Sequence, residues 1–562
     1  MRKIWASLFI SLVLFVAPVL SAPPQADLIV YNGKVWAGIQ EPAGNTAIAI
    51  SQGRILAVGD DKTILEYRRP QTKIIDIMGR RLVPGFHDSH VHFLGAGIFL
   101  GQIDLKLCAN EEEFGKMLRE YDQKLPKGRW LMGGNRDHDP TFNGVLPSAA
   151  TIDKYVSPDR PVYLRRYDGH MALANSLAMK RAGINAGTKE IAGGEVVRKA
   201  GTQEPTGILR DNAMNLMHVV VPLTDEEDIV QGVRRALEEA RTVGVTAVDD
   251  LDGSGQAVRT KLWKHYKNLE SRGELSVRLR LFWPLAEYRG LADLIAKEGR
   301  GTGLAQLGGV KGFMDGSLGS STAKMFAPYR HDNTTTGVWV TPPSAMLQYA
   351  LEADKAGLQV VVHAIGDEAN AKLLDIYTQV NEKNGPRDRR FRSEHAQHLR
   401  QEDYGRFKEN SVIASMQPYH VIDDAKWAEG RIGTERCSSS YAYRSLLDHG
   451  ATLSFGSDWP VAPINPLVGI DAAVNRRSLD GKYPDGWFPA QKIKVEEALH
   501  AYTAGAAYAM LAEKQQGVLR PGMNADIVVL DRDTLDKKEQ DNIAKTTVVM
   551  TIVDGKIVYE KK

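Results

Sequence analysis

Cysteine is nearly missing from this chain of 562 residues: Cys108 and Cys437 are the only two, and their separation fits no zinc-finger spacing. A scaffold held by disulfides is thereby excluded. In an oxidising compartment the two could pair, but distance in sequence carries no geometry, and two ordinary buried or loop thiols explain them equally well. An excess of either charge is missing too. Lysine and arginine number 71 against 69 aspartates and glutamates, and Arg2 and Lys3 lie in a segment expected to be removed, so the mature chain is close to neutral. Such a chain has no global field to steer it to nucleic acid or to an anionic membrane, and no nucleic-acid partner is expected. G-x-G-x-x-G, the Walker loop and G-x-S-x-G are absent, so dinucleotide, nucleotide and serine-hydrolase readings lack their motif. What is present, 43% hydrophobic and 25% charged residues, is a globular composition able to bury a large core.

Long apolar runs are missing after Leu20. Before it, Arg2 and Lys3 precede the apolar stretch Ile4–Leu20, and Ser21, Ala22, Pro23 and Pro24 follow. A short basic start, an apolar middle and small residues at the end make residues 1–21 a secretory signal peptide, cleaved between Ser21 and Ala22. A retained anchor is the alternative, since the run approaches the ~20 residues of a membrane span; Ser7, Ser11 and Pro18 interrupt it. The expected product is secreted or periplasmic, with no stable membrane association once the segment is gone.

The two ends of the chain share a texture that the middle lacks. DLIVYNGK (27–34), TAIAISQGRILAV (46–58) and KIIDI (73–77) are short β-rich runs broken by glycine and asparagine, and ADIVVL (525–530), TVVMTIV (547–553) and KIVY (556–559) repeat the pattern. Hairpins of this size are marginal alone, so segments 22–82 and 515–562 are expected to meet in one small β-sandwich. Between them, over 83–514, apolar β-branched runs alternate with helical stretches, the pattern of a parallel α/β sheet. Eight runs can be counted: Leu82–His92, Gly244–Leu251, Val277–Trp283, Val310–Asp315, Leu358–Ile365, Phe391–His395, Val412–Gln417 and Thr452–Asp458. Eight strands close a TIM-type (β/α)8 barrel. The gap between the first two runs, about 100–225, is too long for a barrel connection and reads as an insertion with structure of its own.

His90 and His92 end the first run two residues apart, so on a strand both imidazoles face one side. At the C-terminal mouth of a barrel that side is the cavity. Lys311 lies in the fourth run, His363 in the fifth, His395 ends the sixth and Asp458 the eighth. Neutral imidazoles with oxygen donors suit Zn²⁺ or a similar divalent ion. A lysine is out of place beside cations unless CO₂ converts it to a carbamate, whose two oxygens can bridge two ions. Any one of these residues alone is ordinary scaffold, but six at the strand ends of one barrel mark chemistry.

The words VPGFHDSHVH (83–92), VKGFMDGSLGSSTA (310–323), VVVHAIGD (360–367), SEHAQ (393–397), FGSDWPV (455–461) and GVLRPGMNADIVVLD (517–531) resemble amidohydrolase family 3, the YtcJ-like metal-dependent hydrolases that include N-substituted formamide deformylase. PVYLRRYDGHMALANSLAM (161–179) and EPTGILRD (204–211) are similar to the insertion of that group, whereas GGNRDH (133–138) departs from its tryptophan-containing pattern. The resemblance implies one or two Zn²⁺ per chain, with His90, His92 and Asp458 on the more buried ion and His363 and His395 on the more exposed one. Carbamylated Lys311 would bridge them with a hydroxide that attacks the substrate carbonyl, and Asp458 would carry its proton to the leaving amine. His170, in YDGHMALANS, looks like a catalytic contributor to the substrate pocket. Asp315 and Ser317 could orient the carbamate; Trp130, Tyr167, Tyr419 and Trp459 could wall the pocket; His138 and His420 have little behind them. The function implied is hydrolysis of a non-peptide carbon–nitrogen bond in a small amide or formamide. An esterase or lactonase on the same metal site, or a non-catalytic binding scaffold, is the alternative, and a homo-oligomer is left open.

Overall fold

Eight short apolar strands, each laid parallel to the next, make the centre of the protein. In the computed structural model the described residues are 25–561 without 107, 137–141, 143, 144, 167, 168, 218 and 223–225; the signal segment, His138 and Tyr167 lie outside them. The strands are β1 (Phe86–Val91), β2 (Val245–Asp250), β3 (Arg278–Pro284), β4 (Ala305–Phe313), β5 (Val360–Ala364), β6 (Arg392–His395), β7 (Ile413–Met416) and β8 (Thr452–Phe455). They follow sequence order around the sheet. The ring is drawn together just past β8, where the Asp458 amide donates to the His90 carbonyl at 2.7 Å and the His92 amide to the Trp459 carbonyl at 2.9 Å. This is the TIM-type barrel that the alternation of strand and helix patterns implies.

Two strand boundaries differ from the sequence reading. The run Leu82–His92 is two strands. Arg81–Pro84 pairs antiparallel with Ile527–Leu530 in the sheet of the chain ends, and β1 begins at Phe86. Gly85 is the corner between them, and a Cβ there would lie 2.2 Å from Thr246 Oγ1. The fourth strand starts at Ala305 instead of Val310. Its internal Gly308–Gly309 reads as a break, yet both glycines are in the strand because the Phe282 ring and the Gln359 carbonyl crowd them, at 2.6 and 2.2 Å from the would-be Cβ atoms.

Helix α1 (Phe93–Phe99) follows β1 directly, and α2 (Glu226–Thr242) leads into β2. The latter buries Ile229, Val233, Ala236, Leu237 and Ala240 at helical spacing and begins with Glu226, Glu227 and Asp228, which suit the positive end of the helix dipole. Between α1 and α2 the insertion builds a six-stranded sheet from 103–104, 131–136, 162–166, 171–174, 194–198 and 205–211. Leu105, Leu118, Leu131, Val162 and Leu164 give it a core of its own. The chain ends form two sheets: 28–31, 47–51, 54–59 and 73–76 in one, and 34–35, 81–84, 527–530, 548–553 and 556–560 in the other. Leu28, Val30, Ile48, Ile50, Ile527, Val529 and Ile552 share one core between them. Cys108 sits in the insertion core with its thiol on Met117 Sδ, Cys437 in the barrel core, and the two do not pair. Among the described residues no helix is long and apolar enough to cross a membrane.

Gly85 yields a test of the junction. Gly85→Ala forces a methyl onto Thr246, an overpacking expected to cost about 1–3 kcal/mol. A lowered midpoint in calorimetric unfolding is the expected result; an unchanged midpoint would mean that the corner shifts freely.

Candidate metal centre

The barrel-closing segments carry the first ligand group. His90 points inward from β1 and His92 follows the same side at the strand's end; Asp458 comes from the turn after β8. Their ligand atoms all fall within 4.8 Å of one another. Asp458 Oδ1 lies 2.9 Å from His92 Nε2 and 3.4 Å from His90 Nε2. Asp88 fastens the two segments by accepting the His90 amide at 3.1 Å and the Ser457 amide at 2.9 Å. Burial works against the charge on Asp458, but the His90 ring and the hydrogen bond from His92 outweigh it and hold the carboxyl well below its usual range.

Lys311, on β4, is buried with its Nζ 3.3 Å from His90 Nε2. Burial pulls its ammonium down to about 8, so a neutral amine is within reach at neutral pH. His363 and His395 meet with ring centroids 4.5 Å apart, and His395 is 4.9 Å from His90. Burial keeps both well below their ordinary value, in the neutral form a metal needs. His363 Nε2 donates to the Gly316 carbonyl at 2.9 Å, which leaves Nδ1 to face a guest. His395 Nδ1 is buried with no hydrogen-bond partner among the described residues. An orphaned ring nitrogen in a cluster of imidazoles, beside a carboxylate and a buried amine, fits a divalent ion.

The insertion delivers one more imidazole. His170 sits in the turn between strands 162–166 and 171–174, with its ring 5.6 Å from that of His363. Its Nδ1 is fixed by Asp211 Oδ1 at 2.8 Å. Asp315 accepts the amides of Lys324, Ile365 and Gly366 at 2.8, 3.0 and 2.8 Å and reaches the centre through His363, 3.6 Å away. Ser317 Oγ lies 2.9 Å from Ser320 Oγ. Trp130 belongs to the insertion's core with Tyr163 and Leu209. Trp459 packs edge-on against Phe93, and Tyr419 lies under the Lys106 ammonium at 5.8 Å.

His420, which the sequence offered only as a weak loop candidate, lies on a helix and belongs to a second close group with His395 and Asp458, and Glu394 was missed altogether. Glu394, inside the word that yielded His395, accepts from His90 Nδ1 and from Arg392 Nε at 2.6 Å each and from Ser415 Oγ at 2.8 Å. Arg392 continues the chain to Asp249 and to the Ser89 carbonyl, all of it fully buried. Burial opposes the charge on Glu394, yet Arg392 holds its carboxyl far below the usual range. Spacing alone places Arg392 and Glu394, i and i+2, on one face of the strand, and nothing in this polar stretch marks that face as buried.

Residues 73–559 match the model of the amidohydrolase family, and the chain belongs to that family. It is a metal-dependent hydrolase acting on carbon–nitrogen bonds. It is 39% identical to protein LONG AFTER FAR-RED 3 of Arabidopsis thaliana, over 95% of this chain and 92% of that one. It is 30% identical to the putative amidohydrolase YtcJ of Bacillus subtilis, covering 94% and 99% of the two chains. The N-substituted formamide deformylase of Arthrobacter pascens is 26% identical over 95% and 98%. Among solved structures, a metal-dependent hydrolase from Pyrococcus horikoshii superposes with a TM-score of 0.72 at 29% identity, over 91% of this chain and 99% of that one.

A carboxylate that fixes the far nitrogen of a ligand histidine is worth about 10–100-fold in metal affinity. Glu394→Gln is expected to weaken divalent-ion binding by that factor in competition with a chelator of known affinity. Unchanged affinity would assign Glu394 to the barrel's stability alone.

Proposed function

We propose that the protein hydrolyses the carbon–nitrogen bond of a small non-peptide amide, with formamides the first class to try. The observation that carries this is the convergence of His90, His92 and Asp458 within 4.8 Å on the same His90 ring nitrogen that Lys311 approaches at 3.3 Å. In this reading His90, His92 and Asp458 would hold one divalent ion and His363 and His395 a second, and Lys311, as its carbamate, would supply further oxygen ligands. Bound there, zinc or a similar ion supplies an acidified water and a polarised carbonyl at neutral pH.

The chain's own residues do the rest. Burial lowers the Lys311 ammonium to about 8, so a fraction of it is the neutral amine that adds CO₂, and the carbamate's negative charge then replaces a buried positive one. Asp458 keeps Oδ1 toward His90 and His92 and has Oδ2 for proton transfer. It takes the proton that the attacking water loses and returns it to the departing nitrogen. The carbon–nitrogen bond is exchanged for a carbon–oxygen bond, giving an acid and an amine with no net change on Asp458. His170, held by Asp211 at 2.8 Å, would meet the substrate from the His363 side. The formamide class is supported by the relative that bears it in its name, at 26% identity.

Plasma mass spectrometry on protein expressed with bicarbonate is expected to find about two divalent ions per chain. Lys311→Ala should lose an ion and most turnover, with partial rescue by short carboxylic acids; normal activity in it would remove the bridging role. Asp458→Asn should retain metal while turnover falls about 10²- to 10⁴-fold on an amide panel, and near-native rates would refute its proton transfer.

A further inference from the structure

Helix α3 (Pro418–Asp424) starts directly after β7, with Pro418 in its first turn, and so sets His420 at the barrel mouth. The ring lies parallel to that of His395, 6.3 Å away at 16°. Its Nε2 is buried, has no hydrogen-bond partner among the described residues, and faces Asp458 Oδ2 at 4.0 Å. A buried nitrogen left without a partner beside a carboxylate oxygen leaves a place for a guest that donates to it.

Distance decides which guest. Two ligands of one tetrahedral zinc at 2.0–2.1 Å stand about 3.3 Å apart. The pairs Asp458–His92 and Asp458–His90, at 2.9 and 3.4 Å, lie close to that, whereas Asp458 Oδ2 and His420 Nε2 stand wider, at 4.0 Å, than two ligands of one tetrahedral ion. A single atom hydrogen-bonded to both at about 2.9 Å spans the gap without strain. The two halves of the Asp458 carboxylate therefore face different things: Oδ1 the ligand rings, Oδ2 a hydrogen-bonded atom shared with His420.

We infer that this atom is the scissile nitrogen of the substrate, and that His420 is a catalytic residue that accepts the N–H on it. The inference rests on the amide-hydrolase reading, in which Asp458 delivers a proton to the departing nitrogen. An N–H held by His420 turns the nitrogen lone pair toward Asp458 Oδ2, so the carbon–nitrogen bond breaks as that proton arrives. His420 gains and loses no proton. The substrate class is thereby narrowed to amides that carry hydrogen on the scissile nitrogen; tertiary amides and esters lack the group that His420 holds.

The test uses the metal-loaded full chain with formanilide, N-methylformanilide and phenyl formate, and with metal content measured alongside. His420→Phe is expected to lower kcat/KM for formanilide about 10- to 100-fold and to leave the other two and the metal content nearly unchanged. His420→Gln, which restores an acceptor oxygen, should recover part of the loss. An equal loss on all three substrates, or no loss on any, overturns the inference; loss of an ion from either variant overturns it in favour of a ligand role. If the wild-type protein turns over none of the three, the amide-hydrolase reading fails separately. Calorimetric binding of formanilide against N-methylformanilide then still decides: a preference for the N–H compound that His420→Phe abolishes upholds the His420 assignment, and equal binding overturns it.

Discussion

The barrel closes through the backbone of its own metal-site segments. β8 ends at Phe455 without laddering fully against β1, and the ring is completed by the Asp458 amide on the His90 carbonyl and the His92 amide on the Trp459 carbonyl. Strand pairing and ligand placement are thus one event: residues whose main chains must meet to shut the barrel are the residues whose side chains must meet to hold an ion. Asp88 strengthens the coupling by taking one amide from each segment. Its carboxyl is pushed up to about 7 by burial, the cost of putting an acid where it can fasten both.

A second constraint lies beneath the first. Asp249, Arg392 and Glu394 form a fully buried ionic chain ending on His90. Desolvating three charges costs several kcal/mol each, and replacing such a set with packed apolar residues is commonly neutral or stabilising. A barrel interior has no lack of room for valine and leucine, as its other layers show. Stability is therefore a poor reason for this chain of charges. Orientation is a better one: the Glu394 carboxylate fixes His90 Nδ1 and so turns Nε2 toward Asp458 and Lys311.

These two constraints explain what was legible in the sequence. Strand residues reveal themselves, because an i, i+2 pair such as His90 and His92 shares a face whatever surrounds it, and the alternation of strand and helix patterns places Lys311, His363, His395 and Asp458 in or just after the other barrel strands. The corner at Gly85 and the start of β4 were hidden, because both depend on neighbours distant in sequence, Thr246 and Gln359. Glu394 was hidden by its more obvious neighbour. His420 was hidden because its position is set by how α3 leaves β7, not by any periodicity. His170 stood out as a word, but Asp211, which orients it, lies one strand away in the insertion sheet and carries no local signal. Trp130 shows the converse: an aromatic close to a site in sequence was taken by the core of the insertion.

The arrangement divides labour by the origin of each side chain. Barrel strands carry His90, Lys311, His363 and His395, the three central ones paired on both sides and β1 closed onto the segment after β8. Two further imidazoles come from outside the sheet: His170 from an inserted hairpin, 5.6 Å from the His363 ring, and His420 from a helix, 6.3 Å from the His395 ring, one on each flank. Asp458 is the joint between the two sets, since one of its oxygens is committed to ligand rings and the other is not. A carboxylate shared in this way can move a proton only along the direction its free oxygen faces, which is toward α3.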